Sequence, residues 1–166
     1  MLRTPRLSLR AFRDEDVPAL YEFMSQPEAM RYTYVAPTLE HCAARLRAYE
    51  EMRRTHGFAP WVVFNSGDSE PIGWGGLSVD PEAPQWGLEV VYAFNPAHWG
   101  SGYATELVQC SVAHAFSALA VREVRAFAMP ENAGSVRVLE KCGFHLVRYE
   151  PSLQRNHYLV TAPDET

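Results

Sequence analysis

The stretch Trp99–Glu106 reads WGSGYATE and constrains the fold more than any other part of the sequence. The apolar run LEVVYAF, Leu88–Phe94, precedes it and predicts a strand. After Gly102 the apolar residues follow helical spacing and form one stripe over about four turns, at Ala104, Leu107, Val108, Ser111, Val112, Ala115, Phe116 and Leu119. Helix N-termini present unpaired N–H groups that attract anions, and glycines let a phosphate come close. The sequence therefore predicts either an anion-binding loop or a strand–helix turn that uses glycine for its geometry alone.

Two known phosphate-binding motifs do not fit this loop. The Walker A motif requires a Gly-Lys-Ser/Thr sequence, which is missing here. The dinucleotide fingerprint requires glycine or alanine at the position of Thr105, although Glu123 lies about twenty residues further on, where a ribose-binding acid is expected. The loop also follows a series of short strands and does not open a parallel βαβ repeat. Neither of these two nucleotide sites is therefore expected.

Strand and helix signals follow one another in the order β-α-α-β-β-β-α-β-α-β-β. The first helix is predicted to start at an Asp14 N-cap, and the last helix at an Asn132 N-cap with Gly143 at its end. Three short strands, WVVFN, IGWGGLSV and QWGLEVVYAF, are separated by turns, which favours an antiparallel meander. No repeat or linker interrupts the pattern, so residues 1–166 are expected to form a single domain.

Composition and charge limit the possible partners. Hydrophobic residues make up 47% of the chain, enough for a full core, and the net charge is −5 without a basic stripe that would bind nucleic acid. No segment approaches the roughly 20 apolar residues of a membrane span, and no signal-peptide pattern follows Met1. The three cysteines are scattered, which is typical of a reducing compartment. A cytoplasmic protein with neither a membrane nor a nucleic-acid partner is expected.

The run GLEVVYAFNPAHWGSGYATELV is followed about thirty residues later by ENAGSVRVLEKCGF. Together they resemble the GNAT superfamily of acetyl-CoA-dependent N-acetyltransferases, and most of all its branch of ribosomal-protein N-terminal acetyltransferases. The family signature is Gln/Arg-x-x-Gly-x-Gly/Ala at a strand–helix junction, followed by Asn-x-x-Ser/Ala and Gly-Phe. Ala97 replaces the Gln or Arg, and Ser101 stands where this branch often has a basic residue. The loop therefore lacks two cations that meet phosphate in relatives.

The resemblance implies an α/β fold (α+β by some conventions), in which helices flank both faces of a twisted, mixed, mostly antiparallel sheet. It also implies acetyl-CoA as the co-substrate. The pyrophosphate is expected at the N-terminus of the long helix, and the pantetheine arm is expected along the preceding strand, like an added strand. The implied cofactor-binding residues are Val90, Val91, Tyr92, Trp99, Gly100, Ser101, Gly102, Tyr103, Ala104, Asn132 and Ser135.

Glu89 is the predicted general base. Strand alternation places Trp86, Leu88, Val90, Tyr92 and Phe94 on one packed face, so the Glu89 side chain points to the opposite face, among small residues. A carboxylate beside an open lane on the cofactor strand can take a proton from the acceptor amine, directly or through water. The alternative is an edge carboxylate that faces solvent or pairs with an arginine. The resemblance further implies a backbone N–H of this strand, that of Val91, as the donor to the oxyanion.

Ser135 is the predicted acid that protonates the leaving sulfur. Many family members have a tyrosine seven residues after the motif asparagine, where this chain has Leu139. The resembling branch often has a serine three residues after that asparagine instead, which here is Ser135. Tyr92 or Tyr103 are alternative acids. The competing structural interpretation is that Asn132 only caps the helix and that Ser135 only occupies its first turn.

The acceptor pocket is predicted under the connection between the first two helices, Met30–Pro37, where Tyr32 and Tyr34 can line a site for a cationic amine. The alternative is that these tyrosines pack on the sheet. Trp61 and Trp74 are expected in the core. Cys110 and His114 lie one helical turn apart without further ligands nearby, so no metal site is expected.

These features predict an N-acetyltransferase that transfers an acetyl group directly from acetyl-CoA to a primary amine. The acceptor is either a protein N-terminal α-amine or a small-molecule amine. The alternative is a non-catalytic domain that binds or senses acyl-CoA, which the absence of a tyrosine at Leu139 keeps open. Either a monomer or a homodimer is compatible with the sequence.

Overall fold

The computed structural model describes residues 1–164, so the last two residues of the predicted domain lie outside the described part. Eight strands form one sheet within these residues: β1 Leu2–Arg3, β2 Leu7–Arg10, β3 Trp61–Asn65, β4 Pro71–Ser78, β5 Glu89–Phe94, β6 Glu123–Ala128, β7 His145–Glu150 and β8 Arg155–Thr161. The helices are α1 Val17–Met24, α2 Leu39–His56, α3 Tyr103–Ala118 and α4 Ala133–Lys141. Apart from the short strand β1, the element order is the predicted one.

The sheet is antiparallel except at one place. Its strand order is β1-β2-β3-β4-β5-β6-β8-β7, and β3, β4 and β5 form the predicted meander. The parallel strands β5 and β6 pair only at Glu89 and Arg125, where the Arg125 N–H donates to the Leu88 carbonyl at 2.9 Å. Beyond this pair the two strands separate. The predicted mixed, mostly antiparallel sheet is confirmed, and its one gap lies beside β5.

Helices cover both faces of the sheet, as predicted. One core cluster joins α1 and α2 to Trp74 and Ala93, and other clusters join α3 and α4 to Val90 and Phe94. The predicted alternation along β5 is therefore confirmed. The expectation of an open lane on the Glu89 side is wrong for most of the strand, because α1 and α2 cover that face as well. Trp61 and Trp74 are core residues, as predicted, with 7% and 2% of their surface exposed.

A glycine in β4 brings α3 close to the sheet. A Cβ atom at Gly75 would lie 2.7 Å from the Leu107 side chain and 2.7 Å from the Val91 carbonyl oxygen. Without that atom, Leu107 of α3 packs directly on β4 and is fully buried. The position of α3 against the centre of the sheet therefore depends on a residue with no side chain.

The N-terminus of α1 differs from the predicted one. Asp14 does not cap the helix, because a 3-10 turn over Asp14–Asp16 comes first and α1 begins at Val17. Asp16 is only 4% exposed, and its carboxylate accepts hydrogen bonds at 2.8 Å from both terminal nitrogens of Arg10 and from the Arg13 N–H. The buried Arg10–Asp16 pair therefore anchors this turn to β2. Among residues 1–164, no helix is long and apolar enough to cross a membrane.

Candidate active site

One groove of about 960 Å³ collects most of the residues that the sequence predicts to be functional. It extends from the N-terminus of α3, along β5 and the β6 residues that face the gap, to the connection between α1 and α2. The predicted site residues that line it are Tyr32, Glu89, Val90, Val91, Tyr92, Trp99, Gly100, Gly102, Tyr103, Ala104, Asn132 and Ser135. Ser101 and Tyr34 do not line the groove.

The glycine loop presents free N–H groups to one end of the groove. Gly100 and Gly102 have left-handed φ angles of 75° and 80°, which glycine adopts without strain. The first intrahelical bond of α3 runs from the Glu106 N–H to the Gly102 carbonyl, so the N–H groups before Glu106 have no helical acceptor. The Trp99 N–H is not free, because it donates to the Pro96 carbonyl at 3.2 Å. The run of free N–H groups therefore starts at Gly100, one residue later than the cofactor-binding run that the resemblance implied.

Arg6 supplies a cation near this loop that sequence reasoning missed. Its Nε donates to the Glu106 carboxylate at 2.8 Å and its Nη1 donates to the Ser101 carbonyl at 2.7 Å. The guanidinium also lies 4.7 Å from the centre of the Tyr103 ring. Burial raises the pKa of Glu106, but hydrogen bonds from Thr4 and Arg6 outweigh it, so that the pKa is lowered overall. Arg6 thus connects the N-terminal segment to the loop, and no local pattern in the sequence indicates this contact.

Two further cations line the same groove from α4. Arg137 and Lys141 stand four positions apart, which places them on one face of the helix. Sequence analysis overlooked them, although this spacing directly after the Asn132 motif is a visible signal. They bring positive charge to the groove, which the loop itself lacks at Ala97 and Ser101.

The start of α4 brings Ser135 to the cofactor strand. Asn132 caps the helix, as predicted, by accepting a hydrogen bond from the Ser135 N–H at 3.2 Å. The Ser135 hydroxyl lies 2.6 Å from the Tyr92 hydroxyl of β5. Burial raises the pKa of Tyr92 to about 12, against the opposing effect of the Ser135 hydrogen bond, so the phenol is protonated at neutral pH. Leu139 is a core residue, 1% exposed, and the phenol near α4 comes from the sheet instead.

Glu89 lies at the point where β5 and β6 separate. Burial, followed by the negative charge of Asp80, raises the pKa of Glu89 from 4.5 to about 7, while the positive charge of Arg155 opposes this shift. Within residues 1–164, the Glu89 side chain has no hydrogen-bond or ion-pair partner. Arg125, the residue paired with it across the sheet, contacts Glu123 and His157 instead. An unpaired carboxylate that titrates near neutral pH can accept a proton from an amine.

The backbone of β5 offers hydrogen-bonding groups to the gap. The Leu88 carbonyl points towards β6 and the Asn95 N–H towards β4, where it donates to Ile72. Because backbone direction alternates along a strand, the Val91 N–H points to β4 and is not available in the gap. The parallel pair at Glu89 uses the Val90 N–H, so the Tyr92 N–H is the first one open to the gap. The Val91 N–H, which the resemblance implied as the oxyanion donor, therefore does not face the gap, whereas the Tyr92 N–H does.

The predicted acceptor tyrosines have different environments. Tyr32 lines the groove, and its carbonyl accepts a hydrogen bond from Arg155 Nη1 at 3.1 Å. Tyr34 instead packs against the core cluster of α1 and α2, with the Arg45 guanidinium 4.5 Å from its ring centre. Only Tyr32 therefore reaches the groove. In the part of the chain that the structure describes, no group of His, Cys, Asp or Glu side chains has the arrangement of a metal site.

A sheet that opens beside β5, a helix N-terminus facing the gap, the unpaired Glu89 carboxylate and the protonated Tyr92 phenol fit an acyltransferase of the acetyl-CoA type. The chain matches the family described as Acetyltransferase (GNAT) domain over residues 6–145. The protein belongs to this GNAT acetyltransferase family. Its reaction is the transfer of an acetyl group from acetyl-CoA to an amine.

Individual relatives agree with this assignment. The uncharacterized N-acetyltransferase YoaA of Bacillus subtilis (strain 168) is 27% identical over 146 residues, which cover 87% of this chain and 82% of the relative. The acetyltransferase from Agrobacterium tumefaciens str. C58 superposes with a TM-score of 0.84 at 25% identity, over 97% of this chain and 94% of that chain. RimL, the ribosomal L7/L12 alpha-N-protein acetyltransferase in complex with coenzyme A, superposes with a TM-score of 0.76 at 18% identity, over 95% of both chains. The likeness to RimL concerns the fold.

Proposed function

We propose that the protein transfers the acetyl group directly to a primary amine that binds beside Glu89, without a covalent enzyme intermediate. The observation that carries this proposal is the Glu89 carboxylate itself, unpaired and with a pKa of about 7, in the groove that also contains the α3 N-terminus. Direct transfer needs a base for the ammonium, a donor for the acetyl oxygen and a proton for the sulfur. The groove offers a candidate for each of these roles.

The groove residues fit acetyl-CoA in three ways. The N–H groups from Gly100 to Ala104 suit the pyrophosphate, because they lack internal partners and the helix dipole adds positive charge. Arg137 and Lys141 add the positive charge that the loop lacks. The open edge of β5 at Val90 and Tyr92 suits the amides of the pantetheine arm, which bind as an added strand does. Ser101 contributes to the loop only through its backbone, since its carbonyl is bonded to Arg6.

The proposed chemistry uses four groups of this chain. Glu89 accepts a proton from the acceptor ammonium, which frees the amine lone pair to form the new C–N bond. The Tyr92 N–H donates to the acetyl oxygen as negative charge develops there. As the C–S bond breaks, the Tyr92 phenol donates a proton to the sulfur, and the second proton that the nitrogen loses on forming the amide returns to the phenolate. The Ser135 hydroxyl holds that phenol in place. The predicted acid Ser135 therefore becomes one member of a pair.

Removing the two hydroxyl groups separately tests this assignment. Tyr92→Phe is expected to lower kcat by about tenfold to hundredfold. A larger decrease is not expected, because a thiolate is a good leaving group and depends less on protonation by an acid than a more basic leaving group does. Ser135→Ala is expected to lower kcat by less than about tenfold, because the phenol remains. Thiol release at saturating substrates measures both effects. Tyr149→Phe, on the exposed strand β7, is the matched control. A decrease in kcat for Ser135→Ala as large as that for Tyr92→Phe would contradict the proposal that the phenol is the acid and that the serine only holds it in place.

The finer assignment to ribosomal-protein N-terminal acetyltransferases is part of this proposal. Support comes from the sequence motifs and from the fold that the chain shares with RimL. A protein α-amine and a small-molecule amine are both proposed as acceptors.

All three cysteines are free, in keeping with a proposed location in the reducing cytoplasm. The oligomeric state, monomer or homodimer, stays a prediction.

A panel of amines tests the proposed function. Free thiol released from acetyl-CoA is measured with N-terminally free peptides, amino acids, polyamines and aminoglycosides at pH 8. We expect release that depends on the amine and increases with its concentration. Stabilisation of the protein by acetyl-CoA without release in the presence of any amine would contradict the proposed transfer and favour an acyl-CoA-binding domain.

A further inference from the structure

The acceptor end of the groove, beyond Glu89, contains both basic and acidic side chains. Its polar and aromatic members are Glu28, Arg31, Tyr32, Arg45, Tyr49, Trp74, Asp80, Trp86, Glu89 and Arg155. Elements far apart in sequence form this end: the connection between α1 and α2, helix α2 itself, the turn after β4 and the start of β8. The Arg155–Tyr32 hydrogen bond joins two of them across 123 residues. The charges at this end are therefore held in place by the fold.

None of the three arginines at this end pairs with a carboxylate within residues 1–164. Arg45 Nε is buried and has no hydrogen-bond partner within residues 1–164, and its guanidinium is sandwiched near the rings of Tyr34 and Tyr49, at 4.5 and 5.7 Å. Arg155 makes one hydrogen bond, to a neutral carbonyl. The Arg45 Nε–H without an acceptor is unfavourable, and Arg45 and Arg155 both line the groove, where a ligand can supply hydrogen-bond acceptors to their guanidinium groups.

Arginines outside the groove differ in this respect. Arg10 forms a bidentate ion pair with Asp16, Arg6 pairs with Glu106, and Arg53 pairs with Glu50. Arg47, two positions from Arg45 on the same helix, pairs with Asp14 at the surface. Within residues 1–164, every arginine outside the groove except Arg3 contacts a carboxylate, whereas none of the arginines that line the groove does.

The basic and acidic groups at this end lie within electrostatic range of one another. Burial is the main cause of the raised pKa of Tyr49. The charge of Arg45 and its side-chain hydrogen bonding to the phenol oppose this shift, and the charge of Glu89 adds to it. The pKa of Glu89 likewise responds to Asp80 and to Arg155. Arg31, the third arginine, lies over the Tyr32 ring at 5.4 Å, and Glu28 is the third acid. Positive and negative groups therefore surround one space, which matches a ligand that carries both signs of charge.

We propose that the acceptor amine also carries a carboxylate, which Arg45 and Arg155 bind while the amine faces Glu89. This inference rests on the proposed function and names the acceptor class. A guanidinium donates paired hydrogen bonds that match the geometry of a carboxylate. A polycationic amine would bring its additional charges against two unpaired arginines, which selects against it. The three acids at the same end disfavour a multiply charged anion.

The carboxylate can belong to a free amino acid or to an acidic residue next to a peptide N-terminus. One arm of the experiment compares phenylalanine, phenylalaninamide and phenethylamine, because aromatic side chains line this end. The other arm compares C-terminally amidated peptides that have aspartate or asparagine at the second position. We expect the carboxylate-bearing member of the matching arm to show a kcat/KM about tenfold to hundredfold above its neutral partners. The arm in which the carboxylate raises kcat/KM shows whether that carboxylate belongs to a free amino acid or to an acidic residue of a peptide.

Variants connect the preference to the two arginines. Arg45→Gln and Arg155→Gln are each expected to lower kcat/KM for the carboxylate-bearing acceptor by about tenfold or more, chiefly through KM. The neutral acceptor and acetyl-CoA are expected to respond much less. Arg45→Lys and Arg155→Lys keep the charge and retain part of the preference, which distinguishes binding from a folding defect. Arg47→Gln, on the surface of the same helix, is the matched control.

The outcomes separate this inference from the function on which it rests. Turnover of amines with no preference for a carboxylate, or a preference for polyamines, overturns the inference and leaves the proposed function intact. Equal losses with charged and neutral acceptors in the Gln variants also overturn it. An absence of thiol release with every amine contradicts the proposed function instead.

Discussion

Replacing Glu89 with glutamine is expected to lower kcat at pH 8 by about a hundredfold to ten-thousandfold, with the KM for acetyl-CoA almost unchanged. Glutamine has nearly the same size but cannot accept the ammonium proton. The proposed cofactor contacts come from the α3 N-terminus, α4 and the β5 backbone, none of which this change alters. Steady-state thiol release with varied acetyl-CoA measures both constants. Glu82→Gln, in the exposed turn before β5, is the matched control.

The pH dependence of the unmodified enzyme provides an independent check. Because the pKa of Glu89 is about 7, kcat/KM is expected to rise as the pH increases through 7 and the carboxylate loses its proton. Below this range Glu89 is protonated and cannot act as a base. The Glu89→Gln variant is expected to lack this rise. A profile that is the same in both proteins would contradict the assignment of Glu89 as the base.

Glu89 is also expected to lower the free energy of unfolding at high pH. A carboxyl group with a folded-state pKa of about 7 and an ordinary pKa of 4.5 holds its proton more tightly in the folded protein. This contribution is fully present below pH 4.5 and is lost as the pH rises through 7. At pH 8 the Gln variant is therefore expected to be more stable by about 1–3 kcal/mol, with a smaller difference at pH 5. Thermal unfolding at the two pH values measures this, and lower stability of the variant at pH 8 would indicate a structural defect instead.

Asp16→Ala is expected to lower the free energy of unfolding by about 3 kcal/mol, although Asp16 lies outside the groove. The Asp16 carboxylate accepts hydrogen bonds from Arg10 and from the Arg13 N–H, and only 4% of its surface is exposed. Its loss leaves the Arg10 guanidinium, 18% exposed, without its main partner. Urea unfolding monitored by tryptophan fluorescence measures the change, since Trp61 and Trp74 are core residues.

Asp14→Ala is the control for this change, because it removes the same group from the same turn. Its partner Arg47 is at the surface, and the two side chains are 79% and 68% exposed, so a loss below about 1 kcal/mol is expected. Replacing both Arg10 and Asp16 with apolar residues is expected to recover much of the stability that Asp16→Ala loses, because no unpaired charge remains. Equal losses in the Asp14 and Asp16 variants would show that burial of the pair has no special role.

The candidate site divides into parts that were predictable and parts that were not. The glycine loop, the stripe of α3 and the Asn132 cap are local patterns, and each could be recognised within a few residues of sequence. Glu89 was identified from strand alternation, but its pKa of about 7 depends on burial, on Asp80 and on Arg155, which come from other elements. The expected Asp14 cap was wrong because Arg10 of the preceding strand holds Asp16 instead.

Sequence alone was sufficient for the order of the elements, the mixed sheet with helices on both faces, and the family. The order of the elements follows from periodicity and turns, and the sheet and the family follow from the resemblance that the motifs carry. All of these patterns are set by residues close together in the chain. Packing between distant segments determined the rest: Tyr92 meets Ser135 across 43 residues, Arg6 meets Ser101 across 95, and Arg155 meets Tyr32 across 123. Such contacts leave no periodic trace, because each depends on how whole strands and helices are stacked. For this reason the sequence indicates an acetyltransferase, while the Tyr92–Ser135 contact and the groove with its unpaired arginines appear only in the folded protein.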